Sequence, residues 1–399
     1  MSWGVIKLSD AVDVMHQGIN TAADKVVYVE SGVPIIQSKH LKNDELNFTG
    51  VKYLNKSDAD KYSEKYIPKL GDILFANIGT IGKSVIVKKQ YDFMFAWNVF
   101  VIRPKKQVVD VGFLKYYLDR LLSVNYYDKF LTGGTVKFIN KKVMGGIEIP
   151  LPYPEDLEKS LKEQKRIAAI LDKADGIRRK RKQAIQLADD FLRSVFLDMF
   201  GDPVTNPKGW EVCKFEDLIE LVTYGLTVRP DYIEEGIPLI SAKEIRTGVL
   251  AYESAPKISK IDFDKLSEKA KPKKNDILFS KTGSIGHCAL VEADKLFAVT
   301  QNAARIVPDH EKVYSLFLLC FMKTKYFYDL ANREAKGNAV KDLQLGTMKS
   351  FTVYCPPKAV QEKFISLYRK QIDVISYFDR FGDQELFSSL SQKAFEGEL

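Results

Sequence analysis

The pattern of hydrophobic and polar positions in the first half of the chain recurs in the second half. The block "GDILFANIGTIGKSVIV" (Gly71–Val87) reappears as "NDILFSKTGSIGHCALV" (Asn275–Val291), at an offset of 204 positions. The same offset relates five further pairs: Pro34 and Pro238, Asn98 and Asn302, Pro104 and Pro308, Lys137 and Lys341, Pro152 and Pro356. A period this long is that of a domain and not of a solenoid. The chain is therefore predicted to be a tandem duplication.

Each copy is predicted to be a mixed α/β domain. Alternating β-branched residues around a Gly-x-x-Gly sequence predict two strands joined by a tight turn. An amphipathic helix follows in both copies, and its apolar face is formed by Phe113, Leu114, Tyr117, Leu118 and Leu121, mirrored by Phe317, Leu318, Phe321 and Met322. A strand that runs into prolines closes each copy. These elements predict a domain with an antiparallel or mixed sheet.

A different pattern follows each copy. Between Glu163 and Phe200 apolar residues recur at a spacing of three and four, which predicts one helix about 57 Å long. A second apolar stripe extends from Val360 to Ala394, with a bend predicted near Gly382. Because neither helix has a core of its own, we expect the two to pack antiparallel, with the globular domains at opposite ends and pseudo-twofold symmetry.

These patterns give four predicted regions. They are a first globular domain over 1–155, a central long helix over 156–202, a second globular domain over 203–357 and a C-terminal long helix over 358–399.

Composition narrows the class of partner. The net charge of +8 and the pI of about 8.9 favour an anionic ligand. The four cysteines show no Cys-x-x-Cys spacing, and no stretch has the length of a signal core or a membrane span. We therefore expect a cytoplasmic protein with reduced thiols and no membrane association.

The residues do not predict a catalytic site, a metal site or a cofactor. The four histidines lack metal-ligand spacing. Gly82-Lys83-Ser84 matches the end of a phosphate-binding P-loop, but the opening glycine of that motif would fall at Asn77. The second copy has His287 in place of the lysine. A tight turn between strands is the favoured interpretation of both sequences.

Binding features are better represented. The run Arg178–Lys182 forms a basic collar on the first long helix, suited to phosphates, although such a run is also typical of a solvated helix face. The loops Thr132–Lys142 and Ala335–Gln344 combine glycines, amides and lysines that can approach phosphates and base edges, or they are ordinary surface loops. The candidate binding residues are Asn77, Thr80, Lys83, Thr135, Lys137, Asn140, Lys141, Arg178, Arg179, Arg181, Lys281, Ser284, His287, Lys336, Asn338 and Lys341.

The order domain, helix, domain, helix leads to a family resemblance. The stretch "EQKRIAAILDKADGIRRKRKQAIQLADDFLRSVFLDMFGDP" (Glu163–Pro203) closely resembles the central region of specificity subunits of type I restriction–modification systems. Pro150–Pro152 and Leu386–Leu399 are similar to other shared segments of that family. One departure is that the second helix lacks the basic collar.

The resemblance implies a fold and a function. It implies two target recognition domains, each of which reads one half of a bipartite, asymmetric site in double-stranded DNA. It also implies that the helices fix the spacer and dock two modification subunits, which carry S-adenosylmethionine and methylate adenine. Restriction subunits can join that assembly. Two other classes stay open from the residues alone: a self-sufficient DNA-modifying enzyme and a duplicated protein-binding scaffold.

Overall fold

The structure is a computed structural model that describes residues 3–42, 44–62, 64–131, 137–228, 230–379 and 383–399. The chain divides into two compact units, Met1–Lys182 with Asp379–Leu399 and Gln183–Phe378. We call them the first and the second unit. Each unit combines one globular copy with segments of the long helices. This division into two does not test the boundaries of the four regions expected from the sequence, and those boundaries stay predictions.

The first unit contains the secondary structure of the first copy. Its strands are β1 (Trp3–Lys7), β2 (Val12–Gln17), β3 (Tyr28–Val29), β4 (Val33–Ile36), β5 (Leu41–Lys42), β6 (Glu45–Leu46), β7 (Lys52–Leu54), β8 (Ile73–Ala76), β9 (Ser84–Ile86), β10 (Met94–Phe95), β11 (Val99–Pro104) and β12 (Glu148–Pro152). Its helices before the long one are α1 (Leu8–Ala11), α2 (Lys56–Ala59), α3 (Val111–Ser123) and α4 (Lys141–Gly145).

The second unit repeats this arrangement. The long helix α5 (Leu157–Phe200) begins in the first unit and ends in the second. Its strands are β13 (Val212–Lys214), β14 (Ile219–Tyr224), β15 (Ile237–Ile240), β16 (Lys257–Ile258), β17 (Ile277–Ser280), β18 (Cys288–Leu290), β19 (Ala298–Val299), β20 (Ala303–Pro308) and β21 (Thr352–Tyr354). Its helices are α6 (Ala242–Ile245), α7 (Lys260–Lys265), α8 (Ser315–Met322), α9 (Lys325–Glu334), α10 (Leu345–Lys349) and α11 (Lys358–Asp379). The last helix, α12 (Asp383–Glu396), belongs to the first unit.

The main sheets of the two units correspond. An antiparallel sheet has the order β2-β11-β8-β9 in the first unit and β14-β20-β17-β18 in the second. A second, mixed sheet contains the parallel pair β4 and β10 in the first unit and the parallel pair β15 and β19 in the second, with four strands in the first unit and three in the second. The predicted strand-turn-strand blocks are confirmed as the antiparallel pairs β8–β9 and β17–β18. The mixed α/β class is confirmed as well.

The predicted amphipathic helix is confirmed in both copies, with one difference. In the first unit it is the single helix α3, which buries Phe113, Leu114 and Leu118. In the second unit α8 ends at Met322 and a separate helix, α9, begins at Lys325. Thr324 marks the start of α9, because its hydroxyl caps the N-terminus of that helix by accepting a hydrogen bond from Phe327 N.

The first long helix begins earlier than the apolar spacing predicts. It starts at Leu157, within the region 156–202 expected for the helix, because the carboxylate of Asp156 accepts a hydrogen bond from Lys159 N at 3.0 Å and caps the helix. In the first unit α5 and α12 run antiparallel. Arg166 Nη2 donates to Leu399 O at 2.9 Å, and the guanidinium of Arg178 lies 5.0 Å from the Phe387 ring centre. The predicted bend at Gly382 lies outside the described residues.

The end of α5 is part of the core of the second unit. The ring centre of Phe200 lies 4.8 Å from that of Phe317 on α8 and 5.5 Å from that of Phe364 on α11. Phe196, one turn earlier, lies 5.4 Å from Phe364. The apolar seams of the two long helices therefore meet in this unit, and both also pack on the globular copy. Of the helices that the structure describes, none combines the length and apolarity that a membrane span needs.

Candidate nucleic-acid interface

The Gly-x-x-Gly sequences form tight turns between strands. In the first unit Gly79 and Gly82 have φ of +80° and +89°, and in the second Gly283 and Gly286 have +79° and +101°. Residues other than glycine rarely adopt these φ angles. A Cβ atom on Gly82 would lie 2.7 Å from Leu122 Cδ1, so the turn also packs closely on α3. The glycines are explained by backbone geometry, as the tight-turn interpretation predicts.

In the first unit the loop before α4 lies against this turn. Ile78 and Phe138 form an isolated β-bridge, and Ile139 N donates to Asn77 O at 3.0 Å. The side-chain amide of Asn77 donates to Ile139 O at 3.4 Å, and Asn77 is fully buried. Asn77 therefore holds the loop against the turn from inside and does not face solvent. Two candidate segments that are far apart in the sequence are brought together.

The other candidates of the first unit divide into supporting and exposed residues. Thr80 Oγ1 donates to Ser38 O at 3.0 Å, and Asn140 Oδ1 caps α4 by accepting from Val143 N at 2.9 Å. The side chains of Lys83, Lys137 and Lys141 are exposed. Thr135 lies outside the described residues.

The same junction recurs in the second unit at the same offset. Thr282 and Asp342 form the β-bridge that corresponds to Ile78 and Phe138. Leu343 N donates to Lys281 O at 2.8 Å, and Gly283 N donates to Lys341 O at 2.9 Å.

The side chains at this second junction are charged. Lys281 Nζ and Thr282 Oγ1 both donate to Asp342 Oδ1, and Lys281 is only 9% exposed. Burial opposes ionisation of Asp342, but the hydrogen bonds from Lys281 and Thr282 outweigh it and lower its pKa. Lys281, a candidate binding residue in the sequence, is therefore an internal ion-pair partner.

The remaining candidates of the second unit lie at or near the surface. Lys336, Asn338 and Lys341 are exposed on one loop, and Ser284 is exposed on the turn. His287 is partly exposed, and its ring centre lies 6.4 Å from that of Tyr328. Burial and, after it, the positive charge of Arg246 lower the pKa of His287, so this imidazole is neutral at pH 7.

The basic collar is partly neutralised within the first unit. Arg178 and Arg179 both pair with the buried carboxylate of Asp175, at 2.6 and 3.1 Å. Arg181 is partly exposed, whereas Lys180 and Lys182 are exposed. The exposed positive charge of the collar therefore includes two lysines that were not among the candidate residues.

A second cluster of charges near the first turn was also not predicted. Lys115 Nζ lies 2.5 Å from Asp44 Oδ1 and also binds Asp119, which accepts from Ser84 Oγ at 3.1 Å. Burial raises the pKa of Asp119 to about 6, although the charge of Lys115 opposes the shift. Lys83 lines the adjoining cavity of about 270 Å³. The only sequence signal of this cluster is the spacing of Lys115 and Asp119 on one face of α3.

No group of three or more His, Cys, Asp or Glu side chains in the described part of the chain is arranged to hold a metal ion. The loop and the glycine turn of each unit instead form a surface that is suited to binding. Each presents exposed lysines on a loop that is fixed to a glycine turn, and the loop of the second unit adds the exposed amide of Asn338. Such groups can contact phosphates and base edges.

Comparisons with known proteins agree with a surface that binds DNA. The family model of the type I restriction modification DNA specificity domain matches residues 2–187 and 207–373. The chain therefore belongs to the family of type I restriction–modification specificity subunits, as the sequence resemblance predicts, and each copy matches the family's domain once.

Individual relatives are distant. The chain is 25% identical to the EcoBI specificity subunit of Escherichia coli over 295 residues, which is 66% of this chain and 61% of that protein. It is 20% identical to the MjaVIII specificity subunit of Methanocaldococcus jannaschii, over 76% of this chain and 74% of that one. The crystal structure of an S subunit from M. genitalium has a similar fold, with a TM-score of 0.59 and 14% identity over 99% of this chain and 96% of that chain.

Proposed function

We propose that this chain is the DNA-recognition subunit of a type I restriction–modification enzyme and that it reads a bipartite, asymmetric target in double-stranded DNA. The observation that carries the proposal is the repeated junction between the glycine turn and the loop. One backbone arrangement occurs in both units, yet the exposed side chains differ. A shared backbone favours the same docking pose, and different side chains favour different base contacts.

The exposed candidates and the partly exposed His287 are the proposed DNA contacts. In the first unit they are Lys83, Lys137 and Lys141, with Thr135 kept as a prediction. In the second unit they are Ser284, His287, Lys336, Asn338 and Lys341. Asn77, Thr80 and Lys281 are proposed to support these surfaces from within, and Arg178, Arg179 and Arg181 to belong to a helix that lies near the backbone of the duplex.

We also propose that the two half-sites are separated by an unread spacer of fixed length. Helix α5 is continuous over 44 residues, about 66 Å at 1.5 Å per residue. A helix of this kind cannot lengthen without losing its backbone hydrogen bonds. The spacer of the target would therefore be constant, and a second length would not be tolerated.

The long helices are further proposed to dock two modification subunits. These partners would carry S-adenosylmethionine and transfer the methyl group, and restriction subunits can join them. We propose no catalytic step for the chain itself. Its contribution would be to place the partners at a chosen sequence.

A salt titration tests the DNA-binding part of this proposal. We expect the affinity of the full chain for duplex DNA to fall steeply between 50 and 200 mM salt, because several lysines displace counterions from phosphates. Changing Lys341 to Ala should weaken binding and lower the salt slope by about 1. The matched control is Lys260→Ala in the same unit, because the Lys260 ammonium already pairs with Asp264.

Two results would contradict the proposal. Binding that is independent of salt would favour the protein-binding scaffold. Turnover of S-adenosylmethionine by the purified chain alone would favour the self-sufficient enzyme.

A further inference from the structure

The loop 336–342 of the second unit is closed on itself. Lys336 N donates to Asp342 O at 3.0 Å, and Asp342 N donates to Lys336 O at 2.7 Å. Gly337 makes this closure possible, because its φ is +118° and a Cβ atom there would collide with Val340 O. The tip between the paired residues is exposed, and it carries Asn338 and Lys341.

The side chain of Asp342 fixes this closed loop to the glycine turn. Its carboxylate accepts hydrogen bonds from Lys281 Nζ and Thr282 Oγ1, both at the start of the turn. The Lys281 ammonium also lies 5.9 Å above the ring of Tyr224 on β14. One carboxylate thus connects the base of the loop to two residues of the hairpin β17–β18.

The first unit lacks this arrangement. At the corresponding offset it has Phe138 in place of Asp342 and Asn77 in place of Lys281. There the junction is made by backbone hydrogen bonds and by the neutral amide of Asn77. The charged connection is therefore a property of the second unit and not of the repeated framework.

We propose that Asp342 is a positioning residue that sets the base specificity of the second unit, an inference that rests on the proposed DNA-reading function. A carboxylate is repelled by phosphates, so Asp342 is poorly suited to contact the DNA backbone itself. Its charge is balanced by Lys281, and its effect is exerted on the backbone that carries Asn338 and Lys341. Discrimination between bases depends on donors and acceptors held in a fixed geometry.

This role predicts an unusual combination of effects for Asp342→Asn. The substitution removes a negative charge from the surface and leaves the positive charge of Lys281 unbalanced, so affinity for non-target duplex should not fall. The loop should lose its fixed position, so the preference for the correct second half-site should fall about tenfold. If Asp342 acted only through its charge, the substitution would change the affinity for DNA without changing the preference between sequences. If Asp342 only supported the fold, the substitution would lower the affinity for all sequences.

The experiment uses the full chain in two measurements. Selection from a pool of random duplexes, followed by sequencing, gives the base preference at each half-site. Hydrogen exchange without DNA gives the protection of the amides in 336–343. The variants are Asp342→Asn, the milder Thr282→Val, which removes one donor to the carboxylate, and the control Asp264→Asn, which makes the same charge change elsewhere in the unit.

We expect faster exchange in 336–343 and a weakened second half-site for Asp342→Asn, with the first half-site unchanged. For Thr282→Val we expect the same changes, with the half-site preference reduced about threefold, and none for Asp264→Asn. Unchanged exchange or an unchanged base preference would overturn the inference. If Asp342→Asn does not fold, Thr282→Val decides. A wild-type chain that selects no sequence would overturn the proposed function itself, and the inference with it.

Discussion

A buried ion pair in the second unit gives a sharp prediction about stability. Asp276 and Arg305 pair at 2.6 Å, with side chains only 5% and 7% exposed. The first unit has a related pair of Asp72 and Arg103 at 2.7 Å, but the arginine is 29% exposed. We consider the substitutions Asp276→Asn and Asp72→Asn. In both cases asparagine keeps the volume of the side chain. It also keeps an oxygen that can accept the hydrogen bond from a backbone N–H in the preceding turn.

The magnitudes follow from what happens to each arginine. Removing one partner of a buried pair costs about 3–5 kcal/mol, because the remaining charge cannot regain water. Arg305 keeps a hydrogen bond to Glu268 O at 2.7 Å, so we expect the lower end of that range, about 3 kcal/mol. Arg103 can be rehydrated at its exposed side, so we expect about 1 kcal/mol for Asp72→Asn.

The assay must report on each unit separately. Hydrogen exchange at increasing urea, read by mass spectrometry, gives a free energy of opening for peptides of either unit. Asp276→Asn should lower that of the second unit by about 3 kcal/mol, which corresponds to about 6–12 °C in melting temperature for a unit of this size. Equal losses for the two substitutions, or a loss below about 1 kcal/mol for Asp276→Asn, would refute the reasoning from burial.

Three further predictions concern individual side chains. Gly176→Ala should stabilise α5 by about 1 kcal/mol in urea unfolding, because a Cβ atom there would meet nothing within 4 Å. Gly82→Ala should instead destabilise the first unit, because Gly82 has a positive φ and a Cβ atom there would lie too close to Leu122. Phe200→Ala should lower the free energy of unfolding of the second unit by about 3–5 kcal/mol in the same assay, because Phe200 is fully buried. The control Phe191→Ala should lower it by less than about 0.5 kcal/mol, because Phe191 is exposed, and similar losses for the two substitutions would contradict the packing. Burial raises the pKa of the Cys288 thiol to about 11, so iodoacetamide at pH 8 should modify Cys288 only after unfolding, as read by mass spectrometry; rapid modification of the native protein would show that this thiol is accessible.

The elements of each unit were predictable because their signals are local. Paired glycines between β-branched runs predict a turn between strands, and the observed positive φ values at Gly79 and Gly82 are what such a turn needs. The spacing of Phe113, Leu114 and Leu118 similarly predicts α3, which buries them. The apolar seam from Glu163 does not mark the start of α5 at Leu157, because that start depends on a cap at Asp156.

The candidate site was predictable only as a set of segments. Sequence spacing does not reveal that Phe138 bridges to Ile78, because such contacts are formed by the tertiary fold. The burial of Asn77 and Lys281 was hidden for the same reason, since polar residues in a glycine turn are usually exposed. Asp342 gave no signal because the repeat has Phe138 at the matching position.

The central claim is that the two units read two unlike half-sites at a constant separation. The most direct measurement is selection of bound sequences from random duplexes, with the wild-type chain and with the double variant Asn338→Ala, Lys341→Ala. We expect two unlike blocks separated by an unread interval of one length, and the variant should alter only one block. A single continuous block, an interval of variable length, or a change in both blocks in the variant would contradict the account.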